Sequence, residues 1–164
     1  MVRIVLILLL EAVHLVVGIP QFLSAADTQW WVKALSYPFF HANVFHLAVN
    51  CIAVWAIYRP GVCKPCRDLL FPFVVSFLVY PISPRPVIGI SNMLYAAIGA
   101  RTPSLSSPWW RRTPTIIFLS ITVLMLFIPQ FSAVTHILSF VAGALLASFH
   151  RFYLNITKDA RRYY

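Results

Sequence analysis

The chain has 164 residues, 60% of them hydrophobic and 10% charged, with a mean hydropathy of +0.81. A soluble domain of this length leaves a large share of its surface exposed, so this composition excludes water as the surrounding solvent. The net charge of +9 does not read as a nucleic-acid footprint. The Lys and Arg residues fall in short connections between apolar runs, not along one basic face.

About 20 apolar residues cross ~30 Å of hydrocarbon at ~1.5 Å per residue. The sequence predicts six spans, near residues 2–19, 44–59, 69–82, 91–104, 114–129 and 133–153. The expected fold is an all-α, six-helix membrane bundle, with residues 1–164 forming one domain. In the first span, Arg3, the apolar run and Ser24-Ala25-Ala26 imitate a signal peptide. Glu11 interrupts that run, however, and the stretch is longer than a typical apolar core, so retention is expected. Glu11 and His14, three apart on one helix, are expected to form a buried polar pair.

The connection over about 20–40 carries Trp30-Trp31, suited to anchoring at a membrane interface. Cys63-Lys64-Pro65-Cys66 falls in a loop assigned to the cytoplasm. Thiols stay reduced there, and no second pair completes a structural zinc site. A Pro-rich stretch, Pro81 to Pro86, joins the third and fourth spans. The fourth span is scarcely apolar and rich in small residues, as a helix shielded by its neighbours would be. Asn155-Ile156-Thr157 matches a glycosylation sequon but lies on the expected inner face.

With six spans and the N-terminus inside, eleven of the thirteen Lys and Arg residues fall on one side, leaving only Lys33 and Arg85 outside. That is the positive-inside pattern of a multi-pass protein with both termini in the cytoplasm.

Ionisable groups at membrane depth are costly and therefore candidates for function. His46 and Asn50 are four apart and project from one helix face. His41 lies five residues earlier, where a structural hydrogen bond is the simpler role. Ser91 opens the fourth span behind Gly89-Ile90, and Tyr95 and Gly99 follow on its face at steps of four. His136, Ser139 and Gly143 form a stripe on the last span. Small residues let two helices approach closely. If the stripes face each other, His136 reaches Ser91 and Tyr95 packs on the imidazole, giving a nucleophile beside its base. Asp27, Asp68 and Asp159 are badly placed to orient that base. A Ser–His dyad is the economical reading, with Glu11 left open as a third member. No metal or other cofactor is expected.

These residues resemble the signatures of rhomboid intramembrane serine proteases. The string from Tyr37 to Asn50 looks like their second-helix signature, and Gly89-Ile90-Ser91 like their G-x-S nucleophile motif. Tyr95 stands where the family has a tyrosine beside the catalytic ring. His136 with Gly143 resembles the last-helix H-x-x-G-x-x-x-G pattern. The resemblance implies Ser91 as nucleophile and His136 as base and acid. It also implies His46, Asn50 and the Ser91 backbone N–H as the oxyanion hole, with His41 structural. The expected partners are the lipid bilayer and the spanning segments of substrate proteins, in a cell membrane (the inner one in a Gram-negative bacterium). The chain departs from the family at Asn92, where a small residue is usual, at Ser139, which replaces the first glycine, and in a short first loop without a Trp-Arg pair. Two other readings stay open: a rhomboid-like module that binds membrane proteins without cutting them, and a small transporter or channel using Glu11 and the histidines.

Overall fold

The computed structural model describes residues 2–18, 20, 23, 25–58, 69–83, 87–101, 116–117, 120–124 and 132–160, with side chains as far as 157. Six helices organise it: α1 (Val2–Val16), α2 (Trp30–Ser36), α3 (Val44–Ile57), α4 (Phe71–Val79), α5 (Ser91–Arg101) and α6 (Ala133–Ala160). Residues 116–117 and 120–124 are also helical, and no strand occurs among the described residues. The remainder of the expected 114–129 span, the Cys63–Cys66 loop and the charges between 102 and 115 lie outside the described residues.

Local chemistry sets several of the helix ends. Asn43 is extended (φ −163°), and its side chain accepts the His46 backbone N–H at 2.8 Å, capping α3. A capping side chain satisfies one of the N–H groups that a helix start leaves orphaned. Prolines open three turns where their missing N–H costs nothing: Pro72 in α4, Pro38 in the 3-10 turn Tyr37–Phe39, and Pro81 in the 3-10 turn Tyr80–Ile82. Helical structure runs continuously from Leu69 to Ile82, over the residues where the third span is expected.

Every residue from Asn92 to Gly99 is buried, so α5 is the central helix. Its low hydropathy follows from that position, because neighbouring helices rather than lipid surround it. Leu10 of α1, Leu47 and Val54 of α3, and Leu94 and Ile98 of α5 meet in one core cluster. The α5–α6 contact is closer still. A methyl group built on Gly99 would sit 2.0 Å from the Phe140 carbonyl oxygen, and one on Gly143 would sit 2.3 Å from that of Ala96. Glycine at both positions is what lets the two backbones touch.

The outside of the bundle is apolar: Phe45 is 78% exposed, Ile52 70% and Phe149 69%. Such a surface needs lipid. The 28 residues of α6 extend about 42 Å, enough to cross a bilayer, and α6 is apolar enough to do so. Among the described residues only α6 meets both criteria as one helix. Residues Trp30–Phe39 and α3 meet them as a pair, bent by 77°.

Three arginines gather at one end of the bundle. Arg3 lies over the Trp55 ring, 3.4 Å from its centroid, and donates to the Trp55 carbonyl oxygen. Arg101 donates to the Ile57 carbonyl oxygen at 2.7 Å, and Arg151 to that of Ala100 at 3.1 Å. Cations here complement the negative ends of α3 and α5.

Two expectations are corrected. Glu11 is exposed and no hydrogen bond joins it to a half-buried His14, so the pair is not a buried one. The face of α1 turned to the core carries Leu10, and Glu11 is one residue round from it. The connection over 20–40, read from sequence as a loop, contains α2. Trp30 and Trp31 start that helix and are 51% and 46% exposed.

Candidate active site

The site forms where α3, α5 and α6 begin, at the end of the bundle opposite the arginines. Ser91 is the first residue of α5 and is half-buried. His136 stands in the first turn of α6 and is 5% exposed. Their side chains meet, with Ser91 Oγ 2.8 Å from His136 Nε2. When the hydroxyl donates, Nε2 is the acceptor and the ring proton sits on Nδ1. That Nδ1 has no hydrogen-bond partner among the described residues. Tyr95, one turn below Ser91, lies parallel to the imidazole, with ring centroids 4.6 Å apart and planes 12° apart.

A second group gathers at Gly89, two residues before Ser91. His46 Nδ1 accepts the Ala42 backbone N–H at 3.4 Å. An acceptor at Nδ1 leaves the proton on Nε2 of a neutral ring, so Nε2–H is the outward donor. Asn50, one turn further along α3 and 4% exposed, has an Nδ2 without a partner among the described residues. A buried donor left unpaired costs roughly 1–3 kcal/mol, which a ligand oxygen would remove. Both groups converge on Gly89: a methyl built there would lie 2.9 Å from His46 Nε2 and 3.3 Å from Asn50 Nδ2. Gly89 adopts φ +99°, a conformation natural only to glycine, and its N–H donates to the Tyr37 carbonyl oxygen at 2.9 Å. Two residues later, the N–H groups in the first turn of α5 have no intrahelical acceptor and carry the positive end of the helix dipole.

His41 is fully buried and meets His46 edge to face, with centroids 5.1 Å apart. Neither of its ring nitrogens completes a hydrogen bond among the described residues, so its contact with His46 is one of packing. Asn92, next to Ser91 in the chain, is fully buried. Neither of its amide atoms completes a hydrogen bond among the described residues. Among the described residues no three His, Cys, Asp or Glu side chains gather as metal ligands would.

The structure thus brings together Ser91, His136 and Tyr95, and gathers His46 and Asn50 at Gly89, two residues before Ser91; Glu11 is exposed and hydrogen-bonds to none of them. One residue went unnoticed in the sequence. Thr122 Oγ1 donates a hydrogen bond to the Tyr95 hydroxyl. A threonine in an apolar run is indistinguishable by pattern from one that bonds to its own helix.

A serine hydroxyl hydrogen-bonded to an imidazole, with a buried amide donor that has no partner among the described residues, is the equipment for acyl transfer. The chain matches no curated protein and no solved structure. The family model of the Rhomboid domain matches residues 27–151, a stretch that contains every residue of this site. The chain is therefore a membrane protein of the rhomboid family.

Proposed function

We propose that the chain is an intramembrane serine endopeptidase working through a Ser91–His136 dyad. The observation that carries the reading is the 2.8 Å contact between Ser91 Oγ and His136 Nε2, supported by Asn50 Nδ2, a buried donor with no partner among the described residues. Ser91 Oγ attacks the scissile carbonyl carbon and its proton passes to Nε2. The resulting oxyanion is held by His46 Nε2–H, Asn50 Nδ2–H and the Ser91 backbone N–H. Nε2 then protonates the leaving amine, the acyl-enzyme forms, and water activated by the same nitrogen releases the acid. Donors fixed before the charge develops stabilise it most, each being worth ~10²–10³ in rate.

The substrate is a spanning segment of another membrane protein, cut near its outer end. A helix hides its carbonyls in hydrogen bonds, so the cut stretch must unwind, and residues of poor helix propensity favour this. The chain crosses a cell membrane six times with both termini in the cytoplasm. Gathering of Arg3, Arg101 and Arg151 at one end supports that orientation, since all three fall on the inner side of this topology. The test is labelling with a fluorophosphonate, which reacts only with an activated serine. Wild-type protein in detergent is expected to label at Ser91, and Ser91→Ala not at all. A folded wild type that does not label overturns the reading and favours a binding module.

A further inference from the structure

In a catalytic triad the third member orients the imidazole from its far nitrogen. Here Nδ1 of His136 has no partner among the described residues, so the ring is held by its face, against Tyr95. Such a stack fixes the imidazole plane only as firmly as the tyrosine is itself fixed. Tyr95 is 2% exposed, and its hydroxyl receives the hydrogen bond from Thr122 Oγ1. Within the helical run 120–124, Ser120, Val123 and Leu124 are exposed and Ile121 is half-buried, whereas Thr122 is 2% exposed. Thr122 is thus the side chain this lipid-facing stretch turns fully inward, and it brings its hydroxyl to the tyrosine that backs the base.

We infer that Thr122 is a positioning residue: its hydrogen bond anchors the Tyr95 hydroxyl and, through the ring stack, holds the His136 imidazole in line with Ser91. A hydrogen bond in a dry interior is stronger than one in water, which suits an anchor of this kind. The inference ties the base on α6 to a segment that contributes no group to the chemistry. Its kinetic consequence rests on the protease reading, but the anchor itself is measurable without catalysis.

The test compares Thr122→Val, which keeps the shape and loses the hydroxyl, with Thr122→Ser, which keeps the hydroxyl. Tyr95→Phe removes the same bond from the other side and serves if Thr122→Val fails to fold. With cleavage of a single-span reporter as readout, Thr122→Val and Tyr95→Phe are each expected to lower kcat by about three- to tenfold. KM should be unchanged, as for an interaction expressed mainly in the transition state. The double variant should be no slower than the worse single one, and Thr122→Ser should restore the rate. In parallel, ¹⁵N spectra of the histidine rings should show the His136 signals shifted and broadened in Thr122→Val and recovered in Thr122→Ser. Unchanged His136 signals in folded Thr122→Val overturn the anchor, as do additive losses in the double variant or failure of Thr122→Ser to restore them. Wild-type protein that gives the expected spectra but does not cleave refutes the protease reading and leaves the anchor standing.

Discussion

Replacing Gly89 by alanine puts a methyl group where His46 and Asn50 meet. The new Cβ would lie 2.7 Å from His46 Cε1 and 2.9 Å from Nε2, against the 3.4 Å at which ordinary contact begins. The ring must then retreat by roughly 0.7 Å, and misplacement on the scale of 1 Å costs on the order of 10²-fold in rate. Asn50 Nδ2, at 3.3 Å, is pressed from the same side. Alanine must also hold φ near +99°, at a cost of ~1–3 kcal/mol. We expect kcat for reporter cleavage to fall about 10²-fold, short of complete loss of two donors. Gly18→Ala separates strain from collision, because Gly18 has φ +64° and nothing within 4 Å of a built Cβ. That control should cost about 1–2 kcal/mol and leave kcat alone. The assay is gel-based cleavage, with thermal unfolding of both variants to establish folding. If folded Gly89→Ala cleaves as fast as Gly18→Ala, His46 and Asn50 do not serve as the oxyanion donors.

Other sites give sharp expectations. Gly143→Ala drives a methyl against the Ala96 carbonyl oxygen at 2.3 Å, so α5 and α6 must part; thermal unfolding should show a loss of ~1–3 kcal/mol. Asn92→Ala removes a buried amide that completes no hydrogen bond among the described residues, Ser91 and His136 included, so kcat should stay within about twofold of wild type. Glu11→Gln should leave both kcat and its pH profile unchanged, since Glu11 is exposed and His136 Nδ1 has no hydrogen-bond partner among the described residues.

The parts of the site legible in the sequence were those whose geometry is local or set by small residues. His46 and Asn50 share a face because they are four apart, and that relation survives any tertiary arrangement. The meeting of Ser91 with His136 depended on opposed stripes of small residues, and Gly99 and Gly143 are where the two backbones touch. Other features were hidden because they depend on what lies opposite. Thr122 acquires meaning only beside Tyr95. Glu11 illustrates the converse error: spacing gave it a partner at His14, but burial of α1 is decided by which face meets α3 and α5. The seven residues of α2 are too few for an amphipathic period to stand out, and so that helix read as a loop.

The central claim is that Ser91 and His136 together cut peptide bonds within the membrane. It is tested most directly by reconstituting wild type, Ser91→Ala and His136→Ala in liposomes with a single-span reporter and sequencing the products by mass spectrometry. The account predicts one cut near the outer end of the reporter's span by wild type, and none by either variant. Cleavage that persists in folded Ser91→Ala or His136→Ala, or its absence from folded wild type, would contradict it.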